Sequence, residues 1–288
     1  MNILPSITVV IATYNAASTV RIAVQSVLNQ DYPKLELLIV DGASTDQTVN
    51  LVNDFNDSRL RVFSEPDRGI YDAWNKGVRL STTDRILFIG ADDTLNGASA
   101  ISNFWQNTQN NLYGCPVVYG DLVALSVDGA QIGKVGAVWR DPWTFFGRHL
   151  WSSFPIPIMA TFFDRKTLLD MDLFDSSLRI MADINLVLKM AKQTHPVYVP
   201  GCVVTLMGFG GISTRPDAGA LAMREAVQIR RIHGLGTYTN LEFSARIIQH
   251  QIKYLISKYF GPEITKSMIN FLHGFKKIIF SMRRSKIK

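Results

Sequence analysis

Ile86-Leu87-Phe88-Ile89-Gly90-Ala91-Asp92-Asp93 is an apolar run that ends in two carboxylates. Without polar alternation, it reads as a strand buried on both faces, as in a parallel sheet. Open α/β sheets bind ligands outside the carboxyl ends of their strands. Two acids at that place, with Thr94 and a helical segment after them, have two readings. They hold a divalent cation against a diphosphate, or they only form a turn and a helix cap.

Upstream the same pattern recurs. Ile7 to Ala12 reads as a buried strand ending in Thr13-Tyr14-Asn15, and Ser18 or Thr19 can cap a helix carrying Val20, Val24, Val27 and Leu28. Leu35 to Val40 is a second strand ending in Asp41-Gly42-Ala43-Ser44-Thr45-Asp46, before a helix to about Phe55. Leu60 to Ser64 is a third, and Glu65-Pro66-Asp67-Arg68-Gly69 opens a helix through Val78. This alternation predicts an α/β fold, a mostly parallel sheet with helices on both faces. Right-handed crossovers would gather the polar loops on one edge. No GxGxxG follows the first strand, which argues against a dinucleotide site.

After residue 113 the alternation stops. Val117 to Leu125 and Gln131 to Val138 flank Asp128-Gly129, a hairpin signal. Aromatic residues crowd Trp139 to Phe154. A strand over Ile158 to Phe163, a helix over Ala182 to Lys192 and one or two strands over Val197 to Val204 precede a mostly helical remainder.

Of the 288 residues, 47% are hydrophobic and 19% charged, enough for a large core. No apolar run approaches the roughly 18 residues of a membrane span. Met1 to Val10 contains no Lys or Arg, so no signal peptide is expected. Cys115 and Cys202 lie far apart, match no metal-ligand spacing, and suit a reducing cytoplasm. From Arg224 onward 13 Lys and Arg face three acids, a balance of +10 that leaves −4 for residues 1–223 of a chain with net charge +6. The acidic body argues against nucleic acid as the main substrate, and the basic tail favours anionic surfaces. Phe271, Leu272, Phe275, Ile278, Ile279 and Met282 form a helical stripe, with Lys276, Lys277, Arg283 and Arg284 on the other side. That helix either lies at a membrane interface or docks on the domain with its basic face solvated.

Four motifs carry a family likeness: Val10-Ile11-Ala12-Thr13-Tyr14-Asn15, Ile39-Val40-Asp41-Gly42-Ala43-Ser44-Thr45-Asp46, Ser64-Glu65-Pro66-Asp67-Arg68-Gly69-Ile70-Tyr71-Asp72-Ala73-Trp74-Asn75-Lys76-Gly77, and Gly90-Ala91-Asp92-Asp93. Over about residues 5–215 the chain resembles the family 2 glycosyltransferases of GT-A fold, in particular enzymes of bacterial surface polysaccharides such as O-antigen and colanic acid. The resemblance implies an inverting transfer from a UDP-sugar to a lipid-linked saccharide acceptor at the inner face of the cytoplasmic membrane. It divides the chain into a GT-A domain, 1–215, and a helical basic extension, 216–288. Within the domain, 1–113 is the nucleotide-sugar half and 114–215 the acceptor half.

The residues suit those roles. Thr13, Tyr14 and Asn15 can line a nucleotide slot, and the resemblance implies that Asp41 accepts from uracil. The competing reading of Asp41 is a turn leading to a helix. Asp46 is expected to cap its helix. Asp67, Arg68 and Gly69 precede a helix start, which favours anions, and Arg68 can touch phosphate or pair with Asp92. The resemblance places Asn75 and Lys76 near the donor, against a reading as a solvated face. It assigns Asp92 to the ribose or donor side and Asp93 to a Mg²⁺ or Mn²⁺ ion. The general base it implies is Asp183, in Ile180-Met181-Ala182-Asp183, whose other reading is a helix-start acid. Asp164, Asp170, Asp172 and Asp175 are expected to be structural.

Relatives often carry His-Gln where this chain has Ile158-Met159, which puts acceptor identity in question; His149 and Trp151 lie just upstream. Gly208 to Ser213 reads as a flap with Arg215 or as an ordinary loop. Two other readings compete with transfer: a sugar-nucleotidyltransferase, which would want a Gly-rich basic loop absent after the first strand, and a non-catalytic glycan-assembly subunit.

Overall fold

Four parallel strands carry the first half: β1 (Ile7–Thr13), β2 (Leu35–Asp41), β3 (Leu60–Ser64) and β4 (Arg85–Gly90). They stand in the order β3-β2-β1-β4 and alternate with α1 (Val20–Leu28), α2 (Thr48–Asn53) and α3 (Ile70–Leu80). The computed structural model describes residues 4–108, 112–126, 128–140, 154–208 and 218–235. Register explains why the polar loops meet. Thr13 pairs beside Asp41, Asp41 beside Ser64, and Ala12 beside Gly90, so all four strands end at one edge.

The sheet then becomes mixed. β5 (Thr94–Leu95), β6 (Val117–Leu125), β7 (Gln131–Val135), β8 (Thr161–Asp164) and β9 (Val197–Met207) extend the order to β3-β2-β1-β4-β8-β6-β9-β5, with β7 paired to β6. β8 runs antiparallel to both β4 and β6, while β9 runs parallel to β6. The helices here are α4 (Ala100–Gln106), α5 (Arg165–Asp170), α6 (Ala182–Ala191) and α7 (Ala218–His233).

Alternation within each buried strand supplies two cores, since successive side chains point to opposite faces. Val10, Ile86 and Phe88 join α3, α6 and α7 on one face. Val9, Ile11, Leu87 and Ile89 join α1 and α4 on the other. The opening apolar run therefore feeds both cores, which is why it shows no polar alternation. At Gly77 a Cβ would lie 2.5 Å from Val10 Cγ1, so the missing side chain lets α3 press onto β1.

Three elements differ from expectation. The segment after Asp93 is not directly helical: Thr94–Leu95 pairs with β9, and α4 starts only at Ala100. Ile158–Ala160 forms a 3-10 turn before β8. The short helix α5 follows Asp164, whose carboxylate caps it by accepting from Thr167 N at 2.7 Å. The first helix of the expected C-terminal extension contributes Ala218, Ala222, Ala226 and Ile229 to the same core as α3 and α6. Among the described residues no helix is long and apolar enough to cross a membrane. The stripe 271–282, His149, Trp151 and Arg215 lie outside the described residues.

Candidate active site

Asp41 ends β2 fully buried, and four donors converge on its carboxylate. Thr13 Oγ1 donates to Oδ1 at 2.8 Å and Ser44 Oγ to the same oxygen at 2.5 Å. Ser44 N and Ser64 Oγ each donate to Oδ2 at 2.8 Å. Burial pushes the Asp41 pKa up, but the hydrogen bonds from Ser44, Ser64 and Thr13 together hold it below the ordinary value. A carboxylate has about four lone-pair sites, and all are engaged. The carboxylate that the resemblance assigns to uracil thus also braces the ends of β1, β2 and β3. Thr13 is likewise 3% exposed, with its hydroxyl committed to Asp41.

The neighbouring loops are tied in the same way. Asn15 adopts φ 49° and Ala43 φ 60°, in the left-handed region. Asn15 Oδ1 accepts from Thr45 N at 2.9 Å, and Asn15 N donates to Ser44 Oγ at 2.8 Å. Asp46 accepts from Thr48 N at 2.9 Å ahead of α2 and from Ala17 N at 3.1 Å. Tyr14, 66% exposed, leaves its ring open to solvent beside Thr13 and Asn15.

In the loop after β3, Asp67 Oδ1 accepts from Gly69 N at 2.8 Å. A Cβ on Gly42 would meet Asp67 Oδ2 at 2.5 Å, so the glycine lets the second and third loops touch. Lys76 pairs with Glu65 at 2.8 Å and donates to Pro66 O at 2.7 Å, holding this loop from α3. Arg68, just before α3, pairs with Asp72 in its first turn at 3.2 Å, not with Asp92. Asn75, which the resemblance places near the donor, is buried: it donates to Phe174 O at 2.8 Å and accepts from Phe174 N at 2.9 Å.

Asp92 and Asp93 are unlike. Asp93 is 1% exposed, and its two oxygens accept from Gly90 N at 2.8 Å and Gly208 N at 3.0 Å. Burial, with the charge of Asp92, raises its pKa to about 6 against these two donors. Asp92 is partly exposed, and among the described residues nothing bonds its carboxylate. A Cβ on Gly90 would meet Asp92 Oδ1 at 2.7 Å and Asp93 Oδ2 at 2.9 Å. The glycine thus leaves a small cradle facing one oxygen of each acid. Among the described residues no three His, Cys, Asp or Glu side chains gather as a metal cluster. A pair of carboxylates fits Mg²⁺ or Mn²⁺, which keep waters and take phosphate oxygens as remaining ligands.

Asp183 lies in the first turn of α6, reached from α3 by Tyr71. The Tyr71 hydroxyl stands 2.7 Å from Ile180 O and 3.1 Å from Asp183 Oδ1, and Ile184 N donates to the same carboxylate oxygen at 2.8 Å. Burial lifts the Asp183 pKa to about 6, against these hydrogen bonds. Tyr71 is therefore a contact of the candidate base. Beside it runs a cleft of about 130 Å³ lined by Arg68, Gly69, Ser176, Leu178 and Arg179. Asp175 accepts from Ser177 N and Oγ within its own turn. Ile158 and Met159 pack against the two opposite cores. The pair thus has a packing role at the position where relatives often carry His-Gln.

Comparison with known proteins agrees with this architecture. Residues 8–153 match the family described as "Glycosyl transferase family 2". A PGL/p-HBAD biosynthesis glycosyltransferase of Mycobacterium bovis (strain BCG / Pasteur 1173P2) is 34% identical over 131 residues, 43% of this chain and 49% of the relative. The match thus spans about half of that relative's length. An uncharacterized glycosyltransferase of Mycobacterium tuberculosis (strain ATCC 25618 / H37Rv) is 23% identical over 231 residues, covering 75% and 80%. Among solved structures, S. aureus TarS 1–349 superposes with TM-score 0.59 at 16% identity, over 88% of this chain and 72% of that one. A mannosyltransferase from Pyrobaculum calidifontis, in complex with GDP-Man and Mn²⁺, gives TM-score 0.58 at 19% identity, covering 94% and 75%. These structural likenesses show the fold, which is GT-A. The chain belongs to glycosyl transferase family 2.

If the Gly90 cradle serves a cation, filling it should weaken that cation. Gly90→Ala is expected to keep the fold and to lower Mn²⁺ affinity in the presence of UDP by about tenfold or more. Calorimetric titration with Mn²⁺ checks this; unchanged affinity removes the cradle from the cation site.

Proposed function

We propose that this protein transfers a sugar from a UDP-sugar to a saccharide acceptor with inversion at the anomeric carbon. Support comes from the part-buried Asp183 carboxylate, bonded by Tyr71 and raised to about 6, in the same molecule as the braced strand-end loops. A base with a pKa near the working pH combines a deprotonated fraction with useful basicity. TarS has been solved with UDP and with UDP-GlcNAc, which supports a uridine donor by analogy.

In this reading the Asp41 network sets the loops that receive the nucleotide, with Tyr14 as the exposed ring beside it. Asp92 and Asp93 would hold Mg²⁺ or Mn²⁺. Such an ion supplies positive charge for the diphosphate leaving group. The acceptor hydroxyl attacks the anomeric carbon opposite the diphosphate, and its proton passes to Asp183. The sugar–phosphate bond breaks, and its electron pair leaves with UDP. Tyr71 holds the Asp183 carboxylate by hydrogen bonding.

The acceptor reading is a lipid-linked saccharide of a bacterial surface polysaccharide. Exposed Arg68 and Arg179 edge the cleft beside Tyr71, cations suited to a phosphate-bearing acceptor. The basic stripe 271–288 would then rest on the anionic inner face of the cytoplasmic membrane. Deleting 271–288 is expected to abolish binding to phosphatidylglycerol vesicles while UDP release persists; undiminished vesicle binding contradicts the membrane role.

Asp183→Asn is expected to lower UDP release by about 10²- to 10⁴-fold while UDP affinity stays unchanged. The assay uses UDP-GlcNAc, UDP-glucose and UDP-galactose with Mn²⁺. Because the base works deprotonated, wild-type turnover should fall as pH drops through about 6. A fully active Asp183→Asn variant rules the base assignment out.

A further inference from the structure

We infer that Glu225 is a positioning residue for Asp183, gripping from α7 the backbone that leads into the first turn of α6. This rests on the reading of Asp183 as the base. Glu225 is 6% exposed and accepts three backbone N–H groups from successive residues. Arg179 N donates to Oε1 at 2.7 Å, and Ile180 N and Met181 N donate to Oε2 at 3.0 and 2.9 Å.

Burying a carboxylate is costly unless hydrogen bonds compensate it. Among the described residues no cation pairs with Glu225. The three amides, together with the positive end of the α6 dipole, are its compensation. The N–H groups preceding α6 lack helical partners by geometry, so charge and donors satisfy one another.

The linkage to Asp183 is short. Met181 precedes it by two residues. Ile180, gripped through its N–H by Glu225, offers its carbonyl to the Tyr71 hydroxyl that also reaches Asp183. One turn further along, Asn185 Oδ1 meets His233 Nε2 of α7 at 2.8 Å. Burial, with Lys192 and Lys189 nearby, lowers His233 to about 4, so it is neutral at pH 7. α7 therefore fixes α6 at two heights, with Asp183 between them. The titratable groups facing Asp183 are Tyr71 from α3 and Glu225 from α7, and the Glu225 charge adds to burial in raising the Asp183 pKa.

The test compares Glu225→Gln and Glu225→Asp in the full chain. ¹³C-carboxyl NMR follows the Asp183 titration, assigned by its loss in Asp183→Asn, and UDP release is measured with the same three UDP-sugars and Mn²⁺. Glu225→Gln removes the charge and turns an amide against the N–H donors. It is expected to lower the Asp183 titration midpoint and to reduce kcat by roughly 10- to 100-fold, with donor KM unchanged. Glu225→Asp keeps the charge but shortens the reach, so the raised midpoint should persist and kcat should fall less. A folded Glu225→Gln protein with wild-type midpoint and kcat overturns the inference. If Glu225→Gln does not fold, wild-type kcat in Glu225→Asp overturns it. An inactive Asp183→Asn beside a wild-type-like Glu225→Gln removes only the role of Glu225, whereas an active Asp183→Asn removes the base reading itself.

Discussion

A single buried carboxylate organises the edge at which the first three strands end. Asp41 brings a negative charge into a position closed to bulk solvent, so the surrounding chain supplies donors. They come from the end of β1, the loop after β2 and the end of β3. Satisfying Asp41 therefore aligns three strand ends at once. The parallel register puts those ends side by side, and the carboxylate locks their loops.

Around that lock the polar residues sort into braces and open groups. Thr13, Asn15, Asp67, Asn75 and Lys76 are engaged with other parts of the chain, and their bonds shape the loops. Tyr14, Asp92 and Arg68 remain partly or largely exposed toward solvent. Asp93 lies between these classes, held by two backbone amides yet sharing the Gly90 cradle with Asp92. The candidate base is held from further away. Asn75 docks the chain at Phe174, Tyr71 reaches Ile180 and Asp183, and Glu225 secures the three residues before α6.

Much of this was legible in the sequence, for physical reasons. Buried parallel strands produce long apolar runs, so β1, β2 and β4 and the edge they share could be read directly. Asp92, Asp93 and Asp183 stood out through the family resemblance, since acids after a strand or at a helix start also serve as turns, caps and dipole partners. The braces were not legible, because they depend on contacts between distant residues. Asn75 meets Phe174 across 99 positions, and Arg179 meets Glu225 across 46. No local pattern distinguishes an asparagine that clamps a backbone from one that meets a ligand. β5 has two residues and α5 six, both too short to show periodicity. Ile158-Met159 reads as a loss of polar groups until its packing against both cores is seen.

The central claim is that the braced strand ends receive a nucleotide-sugar and that Asp92 and Asp93 carry its cation. A crystal structure with UDP and Mn²⁺, using anomalous scattering to locate the metal, tests it most directly. An anomalous peak is expected within bonding distance of an Asp92 or Asp93 oxygen, with the diphosphate against it and uracil beside Tyr14. Ordered UDP bound away from this edge, or bound there with the manganese on other residues, would contradict it.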